Sequence, residues 1–295
     1  MSLALAVIVL NLLQLFVLPL VLLPQSAAWG GSLAVLALLN NSFWSIIHEA
    51  IHAKLHPRAR VNERLGRVLG VLYGAPYALL ETGHLLHHRY SRTPRERTEV
   101  YDPARTSWWR AAAGYYPRLL GGLYLMELVS VSLAVLSENR LRSIARNLDR
   151  PDTVLGELLA RVASRFAQFR VDSAAILIVH SAAFCAYGVH AWMLAAALGA
   201  RALFVSFADN SYHYGTRLDA SAEALDLRLP RALETLLLAF NLHGTHHREP
   251  GAGWRELRAR FRDAGGRYDA EWLGAVARQL RGPIPKGNLP AGHGV

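Results

Sequence analysis

Eight of the thirteen histidines in the 295-residue chain fall into three short clusters: His48 and His52 in HEAIH, His84, His87 and His88 in HLLHH, and His243, His246 and His247 in HGTHH. The spacings are i, i+3 and i+4, so on a helix each cluster projects from one face and several imidazoles can converge on a point between helices. Packing eight imidazoles together without a metal strands donors and acceptors or sets like charges against each other. Metal coordination removes both costs. Imidazole suits zinc, copper and iron alike, so ligand type alone does not choose. Tetrahedral zinc takes three or four protein ligands, whereas eight or more point to two metals with four or five each.

A ninth candidate is His213, in the run from Asp209 to Gly215 (DNSYHYG), at the end of an apolar stretch. Asp209 lies four residues before it on the same helical face and is expected to orient an imidazole or a metal-bound water; Glu49, inside the first cluster, is expected to support a ligand in the same way. His56 precedes Pro57 and falls outside the cluster pattern. His180 and His190 lie in apolar segments, where an interhelical hydrogen bond is the simpler role. His293 is in the tail. The single cysteine, Cys185, rules out an internal disulfide and any cysteine-rich metal site.

These clusters must be positioned by apolar elements, because 52% of the chain is hydrophobic. Residues 3 to 23 carry no charge and exceed the roughly 20 residues that span a hydrocarbon core. A cleaved signal peptide is the competing account, but no Lys or Arg precedes the run. Residues 28 to 47 form a second span that ends at His48, and 66 to 80 are short and broken by Gly70, Gly74 and Pro76. Further apolar stretches run at 112 to 136, 172 to 187 and 190 to 208. Clusters that share metals must lie on one side of the membrane, so 172 to 208 is expected to form a second hairpin. The stretch 112 to 136, with Pro117, Arg118 and Glu127, then lies in the interface or against the bundle. One long span through 172 to 199 with 112 to 136 also crossing satisfies the same parity.

The net charge of +10 is mostly Arg, gathered in the connecting segments. Seven Arg lie between Arg140 and Arg170, the pattern of cytoplasmic faces. Nucleic-acid binding, the other usual reading of a basic chain, lacks a motif. The expected fold is therefore an all-α integral-membrane protein with about four transmembrane helices and a cytoplasmic helical cap carrying the histidine clusters. Its organisation is a membrane domain over 1–250 and a cytoplasmic tail over 251–295, loose from Gly282 onward. Trp108, Trp109, Tyr115 and Tyr116 are expected as an interfacial belt.

The three clusters, with NSYHYG before the third and FNLHGTHHREP around it, resemble the histidine boxes of membrane fatty acid desaturases. The resemblance spans roughly residues 28 to 255. It implies two Fe ions held on the cytoplasmic side of a four-span bundle, with O2 as co-substrate and a long acyl chain (fatty acid or other lipid) as substrate. Carried over by motif, the ligands are His48, His52, His84, His87, His88, His243, His246 and His247. His213 matches the further ligand that stearoyl-CoA desaturases place before their third box. There Asn stands four residues before the histidine, whereas here Asp209 occupies that position and Asn210 is three before.

No reductase, haem or iron–sulfur module is visible in the chain, so electrons are expected from an external donor, an acidic electron-transfer protein of ferredoxin-like or cytochrome-b5-like kind. Hydroxylase, ketolase and oxidative decarboxylase chemistry are close alternatives on the same scaffold. HEAIH is also HExxH, which in a zinc protease would make Glu49 the general base, but that reading leaves both HxxHH clusters idle. A metal transporter would hold its ligands near the bilayer midplane rather than at helix ends.

Overall fold

The computed structural model describes residues 2–290, and His293 lies outside them. Helix α1 (Ser2–Leu22) is uncharged throughout and widens to π geometry over Leu13–Leu22, a stretch that contains Pro19 and closes with an i→i−5 bond from Leu23 N to Leu18 O. After Pro24–Ser26, α2 (Ala27–Leu38) leads into α3 (Asn40–Ile51), meeting it at 41°. Helices α4 (Ala59–Tyr73) and α5 (Tyr77–Tyr90) follow; Gly74 ends α4 at positive φ and Pro76 starts α5. The broken helix α6 (Trp108–Val135) precedes a hairpin of α7 (Glu138–Asn147) and α8 (Leu155–Ser164). Next come α9 (Phe166–Tyr187) and α10 (Ala191–Ser211), then the short α11 (Arg231–Leu236), α12 (His243–Arg248), α13 (Trp254–Asp263) and α14 (Trp272–Arg278).

Among the described residues, three helical stretches are long and apolar enough to cross a membrane, or four when α2 and α3 count as one bent span. Their apolar side chains are largely turned outward: Leu20, Val21, Ile178, Val189 and Trp192 are all exposed. A soluble fold would bury such a surface; in a bilayer it faces lipid. The 46-residue stretch Phe166–Ser211 would measure about 69 Å if straight. Its two ends nevertheless reach the same helix. Arg165 pairs with Glu81 and Arg67 bonds Asp172 at 2.7 Å, while just beyond the other end His213 lies 3.1 Å from His87. Glu81 and His87 are six residues apart on α5, about 9 Å. The stretch therefore folds back at Gly188–His190 into a hairpin, one of the two arrangements compatible with the parity of the histidine clusters. At the far turn Tyr187 donates to the Gln14 carbonyl at 2.8 Å and Gly30 packs on Met193.

Helix α6 breaks at Leu120–Gly121, where Gly121 has φ 110° and packs against Ala202 of α10. Its first part is tied to the histidine end of α10 by Asn210 to Tyr115 at 3.1 Å, and its last part packs through Leu133 on Leu141 and the α7–α8 core. That core, with Leu79, Leu159, Val162 and Phe169, buttresses α5 and fixes the second cluster.

Four two-residue strands supplement the helices: β1 (Val100–Tyr101) pairs in parallel with β4 (Ile284–Pro285), and β2 (Leu227–Arg228) with β3 (Ala270–Glu271). These pairings correct the expectation of a loose end after Gly282. Ile284 N donates to Glu99 O at 2.7 Å and Leu218 N to Pro290 O at 3.2 Å. Two residues of the expected aromatic belt also bind the tail. A buried phenol needs a partner, and Tyr115 and Tyr116 donate to the carbonyls of Gln279 and Leu280, clamping the tail, while Trp109 stays exposed.

Candidate metal centre

The nine histidines converge at the end of the bundle in two groups. His48, His52, His84, His88 and His246 form one and His87, His213, His243 and His247 the other; within each, the ligand-capable atoms all lie within 4.8 Å of one another. In the first group the Nε2 atoms stand 3.0 Å apart for His52–His84, His84–His88 and His88–His246. In the second they stand at 3.1 Å for His87–His213 and His243–His247, and 3.2 Å for His87–His247. Imidazole nitrogens about 2.1 Å from a transition metal and at right angles to one another are about 3.0 Å apart. The observed contacts match the edge length of such a coordination polyhedron.

The donor inventory gives the same answer. A neutral imidazole has one N–H and one acceptor, yet the Nε2 atoms of His84, His87, His88 and His247 each face two other Nε2 atoms. His48 Nε2 is buried with no hydrogen-bond partner among the described residues. A cation in each group satisfies this surplus of lone pairs, and the donor set fits two metals.

Several rings are fixed through their outer nitrogens. Nδ1–H of His87 donates to Glu96 at 2.8 Å, that of His213 to the Glu223 carbonyl at 3.2 Å, and that of His247 to the Ser221 carbonyl at 3.2 Å. Each bond selects the tautomer whose Nε2 lone pair faces inward. Burial, reinforced by repulsion from neighbouring imidazoles, holds His84, His88 and His243 well below the ordinary histidine range. Burial is also the leading cause that lowers His52 to about 4, His247 to about 3 and His246 to about 2. The rings are therefore neutral and ready to ligate. Burial opposes charge on His87 and Glu96 too, but their mutual attraction outweighs it, raising His87 and lowering Glu96.

The third box is held by Asp226. It accepts from Thr245 N at 2.8 Å, Thr245 Oγ1 at 2.9 Å and Arg248 at 2.7 Å. Gly244 lets this helix lie against the preceding loop, since a Cβ there would come within 2.5 Å of the Ala224 carbonyl.

A family model described as fatty acid desaturase matches residues 24–274. The chain belongs to the fatty acid desaturase family. Membership makes it an enzyme of the non-haem di-iron oxidoreductase class, and with its apolar helices an integral-membrane one. No curated protein and no solved structure matches the chain.

The other sequence candidates have clear places. Glu49 accepts from Trp254 N at 3.1 Å at the start of α13, which tethers the tail to the first desaturase box, and belongs to neither histidine group. Asp209 lines a small polar pocket with Arg118, Tyr115 and Asn210 and interacts electrostatically with His87. His56 Nδ1 accepts from Arg58 N at 3.0 Å, away from both groups. His180 bonds the Val71 carbonyl of α4 at 3.0 Å, and His190 sits at the α9–α10 turn. Glu96, Asp226 and the carbonyls of Ser221 and Glu223 were not singled out by the sequence.

Proposed function

We propose that the nine histidines hold two irons and that the enzyme desaturates a long acyl chain, with the site facing the cytoplasm. The observation that carries this reading is the division of nine imidazoles into convergent groups of five and four. Bound iron supplies the reductive activation of O2 to an oxidant able to take hydrogen from an unactivated C–H bond. Overall, one C–C single bond of the chain becomes a double bond; the two hydrogens removed, two electrons from a donor and two protons convert O2 to two waters.

The chain's own residues set the conditions for this. Glu96 and the Ser221 and Glu223 carbonyls aim three of the rings in the second group. Phe240 packs on His48 at 5.1 Å and Trp44 on His84 at 6.3 Å, keeping water from the first group on the bundle side. The Arg-rich connections on the histidine side suit an acidic ferredoxin-like or cytochrome-b5-like donor.

Hydroxylation, ketone formation and oxidative decarboxylation begin with the same hydrogen abstraction and diverge from desaturation only after it. Mass spectrometry of lipids and alkanes from cells with and without the protein separates them. New double bonds are expected; new hydroxyls, ketones or shortened alkanes would replace desaturation by the corresponding reaction, and no change in lipid would remove the acyl-chain reading.

A further inference from the structure

A cleft of about 450 Å³ opens between α1, the α2–α3 arm and α11. Its walls are aliphatic and aromatic, with Val7, Leu10, Leu36, Phe43, Ile46 and Leu238 among them. Part of its lining comes from the same chain segments that carry the metal centre. Ile46 lies two residues before His48, and Leu238 two residues before Phe240, which packs on the His48 ring. Such a volume is within the range of ligand sites, and its lining suits a hydrocarbon chain.

Four polar side chains interrupt this lining: Asn11, Gln14, Arg201 and Thr235, whose hydroxyl donates to Arg231 O at 2.9 Å. Arg201 is only 7% exposed and stands at the middle of α10, about 15 Å from either end of that helix. An arginine at such a depth in an apolar segment requires a partner. Among the described residues no carboxylate forms a salt bridge with it. Its Nη1 donates to the Tyr73 carbonyl at 3.2 Å, at the C-terminus of α4, and to Tyr124 Oη at 3.4 Å; its guanidinium carbon lies 5.5 Å and 5.7 Å from the Phe43 and Tyr73 ring centroids. Those contacts engage one nitrogen and the π faces. A guanidinium offers five N–H groups in a fork matched to a carboxylate. Gln14, equally buried, makes no side-chain hydrogen bond among the described residues, and Asn11 uses only its amide donor, toward Val7 O at 2.9 Å.

We propose that this cleft is the acyl-chain site and that it takes a chain ending in a free carboxylate, received by Arg201 with Gln14. The proposal rests on the reading of the enzyme as an acyl-chain oxidase and names its substrate form: an unesterified fatty acid rather than an ester or thioester. The carboxylate supplies the counter-charge that the fold itself withholds from Arg201, and it fixes the register of the chain past the histidine groups.

The test is binding, which needs neither iron nor turnover. The full-length protein in phosphatidylcholine nanodiscs is loaded with a fluorescent polyene fatty acid, and hexadecanoate, methyl hexadecanoate and hexadecanol are compared as displacers at neutral pH. Hexadecanoate should bind about ten- to a hundredfold more tightly than the ester, the usual worth of a hydrogen bond to a charged group. Arg201→Gln should abolish the preference. Because that substitution also touches the α4 terminus, Gln14→Leu is the second variant; it should weaken hexadecanoate about tenfold and leave the ester unchanged. Equal affinity of acid and ester in the unmodified protein overturns the proposal, and so does a preference undiminished in Gln14→Leu. A carboxylate preference in a protein that alters no cellular lipid would retain the site and remove the desaturase reading, whereas lipid desaturation without the preference would do the reverse.

Discussion

Glu96 provides the sharpest test of how the second histidine group is held. Its Oε1 accepts Nδ1–H of His87 at 2.8 Å, while its Oε2 is buried with no hydrogen-bond partner among the described residues, so its side-chain hydrogen bonding is centred on one ring. Glu96→Gln keeps an acceptor at the same place but removes the charge. Glu96→Ala removes both and leaves a buried N–H unpaired, a cost of about 1–3 kcal/mol. Loss of a group that orients a metal ligand typically costs about 10- to 100-fold in metal affinity or activity. The expected order of iron retention is therefore unmodified protein, then Glu96→Gln about tenfold weaker, then Glu96→Ala about a hundredfold weaker. The assay is iron per chain after a timed challenge with graded chelator, with thermal unfolding of the same samples as a check on the fold. Iron retention in Glu96→Ala equal to that of the unmodified protein would refute the assignment of Glu96 to His87. Equal losses in Gln and Ala would show that charge, and not the hydrogen bond, is what matters.

Purified protein should carry about two irons per chain, and His48→Ala, His87→Ala and His247→Ala should each abolish product formation; full activity in both of the last two would end the di-iron proposal. His213→Ala should lower iron content, read by iron analysis beside product assay. With electron transfer limiting, turnover with an acidic donor should fall as salt rises above about 0.1 M, where the Debye length is about 10 Å; a rate independent of ionic strength would exclude electrostatic docking. Gly282→Ala should lower stability by about 1–3 kcal/mol in a denaturation assay, because φ there is 89° and a Cβ would strike Tyr116 and Trp108.

The sequence carried the histidines of the site because their signal is local. Spacings of three and four residues encode a shared helical face whatever the rest of the fold does, and a count of nine was enough to imply two metals. Apolar length reported candidate crossings, but by itself it left open whether 172 to 208 turns back or crosses once. What failed was everything set by chain segments meeting in space. Glu96 sits in the Arg-rich loop between Ser91 and Val100, where nothing in its neighbourhood separates it from Glu99, which pairs with Arg92 at 2.6 Å instead. The carbonyls of Ser221 and Glu223 have no sequence signature at all. Asp209 had the right spacing for orienting His213, yet that ring is held by a backbone carbonyl. The tail reads as loose by composition, but its Pro- and Gly-rich backbone finds acceptors and donors in the β1 loop and beside Leu218.

The division of the boxes explains why the motif is HxxHH and not HxxH. His84 and His88, four apart, enter the first group, while His87 enters the second; in the third box His243 and His247 enter the second group and His246 the first. Each adjacent pair therefore straddles the two sites, with ring centroids 5.9 Å apart for His87–His88 and 6.0 Å for His246–His247. Consecutive helical residues differ by about 100° in direction, so the backbone itself sets how far apart the two groups lie. The first box gives both His48 and His52 to the first group. The second group would then hold only three imidazoles, and His213, brought in by the α9–α10 hairpin, supplies the fourth. The hairpin and the box spacing are thus parts of one requirement: two adjacent sites of separate composition, built from helix ends that all face the same way.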